Sequence, residues 1–113
     1  MGDSEFLAQA EATLTAIEAA LDQLNDDDMI DVECSRSGNV LEIEFIDNGS
    51  KVIVNSQAAM RELWVAARSG GFHYRQTDGK WLNTRDSSEL FAALSEIVTA
   101  QGGAPVVLTP QAS

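Results

Sequence analysis

From residue 30 to residue 83, apolar residues recur at every second position, and each run stops at a turn-forming cluster. Ile30, Val32 and Cys34 alternate with Asp31 and Glu33; Leu41, Ile43 and Phe45 alternate with Glu42 and Glu44. A period of two sends neighbouring side chains to opposite faces, so each run predicts a strand with one buried and one solvated side. Lys51 to Asn55, the inward set Leu63, Val65 and Ala67, then Phe72 to Thr77 and Lys80 to Asn83 supply four more strands. Ser37-Gly38-Asn39, Asn48-Gly49, Gly70-Gly71 and Asp78-Gly79 separate several of the runs and predict tight turns. Strands joined by such short turns must pair antiparallel, since parallel pairs need a long crossover.

A helical period replaces the alternation at both ends. Phe6, Ala10, Leu14, Ile17, Leu21 and Leu24 recur at steps of four and three, which predicts an amphipathic helix over residues 4–24. Ser4 is its candidate cap and residues 25–28 end it. A second helix is predicted from Ser87 to Gln101, with Asp86 as cap and Glu89 as its capping-box partner. Leu90, Phe91, Leu94, Ile97 and Val98 form its apolar face, and Gly102-Gly103 stops it. The expected fold is α+β: a two-layer sandwich with two helices packed on one face of a six-stranded antiparallel sheet. Residues 1–113 are expected to form one domain, with 104–113 a partly docked tail that carries Val106, Val107 and Leu108 and ends loosely.

Charge is distributed unevenly. Of a net charge of -11, ten units lie in residues 1–35, which contain no Lys, Arg or His. A surface of that sign argues against nucleic acid or an anionic membrane as partner. No apolar run is long enough to span a bilayer, and the single cysteine, Cys34, excludes an internal disulfide; a reducing, cytoplasmic setting is expected. On the first helix Glu11, Glu18 and Asp22 fall in one stripe beside the apolar face. Asp26, Asp27 and Asp28 continue it, and Asp31 and Glu33 extend it if the first strand lies beside the helix. A solvated face kept acidic for solubility is the plain explanation. Two features favour function: solubility surfaces ordinarily mix signs, and no base on the helix offsets the repulsion between Glu18 and Asp22.

Carboxylates alone offer oxygen ligands, which suit hard cations, and a helix edge cannot enclose an ion. Weak, water-rich sites are therefore expected, and ligand chemistry does not choose iron over calcium, magnesium or manganese. No EF-hand is present, because position twelve of the loop beginning at Asp26 falls on Ser37. Catalysis finds little support: His73 is the only histidine and joins no Ser or Cys motif. Strand parity makes His73 a surface residue and Cys34 a small buried hydrophobe. The same parity puts Trp64 on the open face of the sheet near Asn55 and Gln57, either as a cover for neighbouring strands or as a protein-contact anchor.

The segments NGSKVIVNSQ (48–57) and ELWVAARSGGFHY (62–74), with the opening DSEF and MIDVE (29–33), resemble the bacterial frataxin (CyaY) family. The similarity runs from Asp3 to about Val107. It implies a non-enzymatic, iron-binding regulator of iron-sulfur cluster assembly, with ferrous or ferric iron held weakly and no organic cofactor. Carried onto this sequence, the metal-binding ridge is Glu11, Glu18, Asp22, Asp26, Asp27, Asp31 and Glu33. Glu18, Asp22, Asp31 and Glu33, together with Asn55, Gln57 and Trp64 on the sheet face, would meet the cysteine desulfurase and the scaffold protein. A monomer is expected without iron. Ala19 and Gln23 stand where relatives are usually acidic, Met29 replaces a common Asp, Ser56 lacks the usual base, and Ala59 replaces a preferred Pro. The alternative is an iron-storage or ferroxidase-type protein that oligomerises on iron loading, although no Glu-x-x-His di-iron pattern is present.

Overall fold

The computed structural model describes residues 2–109. The chain runs α1 (Asp3–Asp26), β1 (Val32–Ser37), β2 (Val40–Phe45), β3 (Lys51–Gln57), β4 (Glu62–Ala67), β5 (Gly70–Thr77), β6 (Lys80–Asn83) and α2 (Leu90–Gly102). The six strands form one antiparallel sheet in sequence order, so β1 and β6 are its edges. The helical and alternating periods meet in a single core. Leu41, Ile43, Phe45, Val52, Val54, Leu63, Val65 and Tyr74 from one sheet face join Phe6, Leu14, Ile17 and Leu21 of α1 and Leu90, Leu94 and Val98 of α2. Each fully buried Leu or Ile contributes roughly 1.5–3 kcal/mol by leaving water. The α1 helix lies against β1 and β3, and α2 against β6, both on that one face.

Several local expectations are corrected. Ser4 does not cap α1; Gly2 occupies the N-cap position without a side-chain bond. The first strand begins at Val32, not Ile30, because residues 27–31 are spent turning the chain out of the helix. Asp28 adopts φ +58, with Asp28 N–H donating to Asn25 O (3.1 Å) and Met29 N–H to Leu24 O (2.9 Å). That bond pair is a Schellman closure, with an aspartate where glycine is usual. Asn25 Oδ1 then accepts from Val32 N (3.1 Å) and ties the helix end to the new strand.

The turn before β5 is Arg68-Ser69, not Gly70-Gly71, since Ala67 already pairs with Gly70. Asp86 does not cap α2. Its carboxylate takes the N–H of Ser88 (2.9 Å) and the Ser88 hydroxyl (2.6 Å), which lowers its pKa, and Ser87 takes φ +62. The helix starts three residues later, with Glu89 as cap accepting from Phe91 N (2.8 Å) and Ala92 N (3.1 Å). At the other end Gly103 closes α2 with φ +76, while a Cβ on Gly102 would stand 3.4 Å from Phe45 Cε1.

Two side chains of α2, one turn apart, bind the following segment. Ser95 Oγ accepts from Leu108 N (2.8 Å) and Thr99 Oγ1 from Val106 N (3.1 Å). Val106 and Leu108 are thereby buried, while Val107 between them points out at 72% exposure. The sequence expectation for the last residues, 110–113, lies outside the described residues. Gln101, also buried, donates to Ser50 Oγ (3.1 Å) and accepts from Arg68 N (3.1 Å), fastening two hairpin turns to α2.

Two stability measurements follow. Asp28→Gly should raise unfolding stability by about 1 kcal/mol, since glycine adopts the left-handed conformation without strain. Ser95→Ala should lower it by about 1–3 kcal/mol, by leaving the buried Leu108 N–H without its acceptor. Thermal or urea unfolding of each variant checks both.

Candidate functional site

The ridge is built where α1 passes over the edge strand β1. Glu11, Asp22, Asp26, Asp27, Asp31 and Glu33 are exposed and Glu18 is half-buried. The helix-and-strand surface expected from periodicity is present, but it differs from the expectation in three respects.

First, a base does offset it. Arg36 of β1 lies on the core-side parity of Val32 and Cys34, and its guanidinium emerges against α1. Nη2 stands 2.8 Å from Glu11 Oε1, and Nη1 lies 3.5 Å from Glu18 Oε1 and 3.4 Å from Thr15 Oγ1. Arg36 is the first base in the sequence, one residue beyond the base-free stretch. Strand parity could have suggested this position.

Second, the carboxylates do not all share a face. Glu33 alternates with Val32 and Cys34, so it points to the open side of the sheet, directly across from Glu44. Glu44 is paired in register with Lys51, whose ammonium lies 3.5 Å from Glu42 Oε2. The acidic surface therefore turns the corner of the sheet and takes in Glu44, which the ridge pattern did not include.

Third, Asp27 is engaged: Gln23 Nε2 donates to both of its carboxylate oxygens at 3.2 Å. Asp22, Asp26, Asp31 and Glu33 have no ion-pair partner among the described residues.

Among the described residues no three His, Cys, Asp or Glu side chains form a group that could hold a metal ion. A cation on this convex surface would keep most of its water. Cys34 borders the ridge and packs against the core on the side that strand parity gave it, though it is only partly buried. Burial pushes its thiol up to about 12, helped by the negative charges of Asp22 and then Glu18. The thiol is thus protonated at neutral pH, and hard oxygen ligands dominate.

A second patch lies on the open face. One row across the sheet reads Val40, Asn55, Trp64 and His73, and the next reads Gln57, Glu62 and Arg75. Trp64 is half-buried, not freely exposed. Its ring stacks on His73 with centroids 4.4 Å apart and planes within 7°, and its Nε1–H donates to Glu62 Oε1 (2.9 Å). Glu62 itself is only 3% exposed and also accepts from Arg75 Nε (2.9 Å), with His73 Nδ1 at 3.5 Å. His73 is a surface residue as parity required, but it belongs to this cluster. Nothing in the alternation marked Glu62 as buried, because open-face burial depends on what neighbouring strands lay over it.

The sequence model of the frataxin-like domain matches residues 1–104. The chain belongs to the frataxin-like family. The iron-sulfur cluster assembly protein CyaY of Janthinobacterium sp. (strain Marseille) is 71% identical over 108 residues, covering 96% of each chain. CyaY of Herminiimonas arsenicoxydans is 67% identical with the same coverage. The solved frataxin of Psychromonas ingrahamii superimposes with a TM-score of 0.86 at 31% identity, covering 96% of this chain and 99% of that one. Trimeric yeast frataxin from Saccharomyces cerevisiae, complexed with ferrous, gives a TM-score of 0.71 over 84% and 86% of the two chains; at 23% identity that match is one of fold.

In this frataxin-like chain Cys34 reports on the ridge. The folded thiol ionises less readily than the unfolded one, so stability should fall as pH rises from 9.0 toward about 12. Asp22→Asn should speed alkylation of Cys34 in that window, measured against the wild type, with Glu18→Gln having the smaller effect.

Proposed function

We propose that this frataxin-like protein binds iron weakly along its ridge and regulates iron-sulfur cluster assembly by docking on the cysteine desulfurase, without catalysing a step itself. The observation that carries the reading is the run of exposed, unpaired carboxylates at the end of α1 and the start of β1: Asp22, Asp26, Asp31 and Glu33. Their mutual repulsion falls when a cation or a basic protein surface approaches, so one surface serves both ligands. Ferrous and ferric ions accept such oxygen donors, and retained hydration keeps the affinity low. Two relatives above 65% identity carry the name iron-sulfur cluster assembly protein, which supports the pathway.

The open-face patch, Asn55, Gln57 and Trp64, is proposed as the second contact, for the desulfurase and the scaffold protein. Trp64 offers an aromatic surface held in place by Glu62 and His73, the kind of preorganised anchor that limits entropy loss on binding. No helix among the described residues is long and apolar enough to cross a membrane; we place the protein in the cytoplasm, monomeric without iron and using no organic cofactor.

Capture of the protein by immobilised desulfurase, at low and moderate salt, tests the docking. Glu18→Lys and Asp22→Lys should each weaken capture roughly tenfold at low salt, and added salt should weaken the wild type. Capture unaffected by either reversal would remove the ridge from the interface. Iron-dependent growth in light scattering, with oxygen consumption in air, would favour iron storage instead.

A further inference from the structure

Asn48 is the one asparagine of this chain that a glycine follows. Such a pair carries a reaction of its own, because no Cβ on the next residue hinders its backbone nitrogen from reaching the asparagine carboxamide. The Gly49 nitrogen bonds to Asn48 Cγ and gives up its proton, and the carboxamide nitrogen leaves as ammonia. Water then opens the cyclic imide. Cleavage at the Cγ carbonyl leaves aspartate, whereas cleavage at the backbone carbonyl leaves isoaspartate, with the chain rerouted through Cβ. One water enters and one ammonia departs, with no oxidation or reduction.

Both residues are exposed in the turn between β2 and β3, so water reaches them freely. Hydrogen bonds restrain the reaction instead. The attacking nitrogen is engaged, since Gly49 N–H donates to Phe45 O (2.8 Å). The carboxamide is held at both ends. Asn48 Oδ1 accepts from Ser50 N (2.9 Å) in an Asx turn, and Nδ2 donates to Gln101 O (2.8 Å). Attack requires the carboxamide to rotate and the glycine N–H to be released, so all three bonds oppose the reactive geometry. The last of them comes from the end of α2. There the buried Gln101 side chain donates to Ser50 Oγ (3.1 Å) and accepts from Arg68 N (3.1 Å), which holds its carbonyl against the turn.

The product cannot make the same contact. A carboxylate at position 48 has no hydrogen to give Gln101 O, so two acceptors would face each other where a hydrogen bond now stands. It would also add a negative charge next to Asp47.

We propose that Asn48-Gly49 is a self-modification site gated by the docked end of α2. It keeps its amide while Gln101 holds the turn, and it converts to aspartate or isoaspartate when that contact opens. The converted turn then no longer fastens α2. A transient local opening is thereby turned into a permanent change of the protein.

Peptide mapping by mass spectrometry, with isoaspartate detection, follows position 48 in the full chain at mildly alkaline pH, below its unfolding transition. The guanidinium-unfolded chain at the same pH and temperature is the reference. Gln101→Ala removes the fastening, Ser50→Ala removes it from the other end, and Ser95→Ala loosens α2 away from the turn. Thermal unfolding confirms that each variant is folded. Folded wild type should lose the Asn48 amide roughly tenfold or more slowly than the unfolded chain. Gln101→Ala and Ser50→Ala should each speed the loss roughly threefold or more, while Ser95→Ala should stay near wild type. Asn48→Asp, which mimics one product, should speed hydrogen exchange at Arg68 N–H. A folded rate equal to the unfolded one, no conversion in either state, or wild-type rates in both Gln101→Ala and Ser50→Ala overturns the proposal. Ser95→Ala matching Gln101→Ala also overturns it, by assigning the reaction to global unfolding. Unchanged exchange at Arg68 in Asn48→Asp overturns the release of α2.

Discussion

Burial of one sheet face under two helices governs the rest of the molecule. The chain must hide the inward set of six strands, and only its two terminal segments have an apolar stripe with which to do so. Because side chains alternate along a strand, fixing one face fixes the other. Leu63 and Val65 go in, and so Glu62 and Trp64 go out. Val32 and Cys34 go in beneath α1, and so Glu33 turns to the far side while Arg36 meets the helix. The acidic surface and the tryptophan patch both follow from that partition.

The position of α1 over the edge strand gives the ridge its form. An edge strand presents unpaired backbone groups, and charge along it discourages pairing with another sheet. Asp31 and Glu33 therefore protect the fold at the place where, on the reading proposed above, they attract a cation or a basic partner. The same crowding of carboxylates acts on the one thiol, raising its pKa through Asp22 and Glu18 beyond what burial alone imposes. Arg36 acts in the other direction and relieves part of the field.

How legible these features were depends on whether they are local. Phe6 to Leu24 and Leu41 to Phe45 declare their elements because a period of 3.6 or of two is written in adjacent residues. The start of α2 lies three residues beyond the position that the capping-box spacing of Asp86 and Glu89 suggests, because the Ser88 hydroxyl and N–H engage Asp86 instead. Gly70-Gly71 looked like a turn because glycine pairs favour turns, but the register with β4 puts the turn two residues earlier. Buried Glu62 and the Trp64–His73 stack left no sequence signal, since Arg75 and His73 come from the adjacent strand β5.

The sequence by itself determined the class of fold, the sign and location of the charge, and the side of the sheet on which Trp64 lies. These are properties of periodicity and composition, which need no partner from elsewhere in the chain. Only the tertiary structure decided how that charge is spent. It brought Arg36 across to Glu11 and Glu18, tied Asp27 to Gln23, sent Glu33 to the open face beside Glu44, and placed a buried carboxylate under the tryptophan. Electrostatic partnership falls off within a few ångströms, so it depends on which elements touch, and that distance is absent from the linear order of residues.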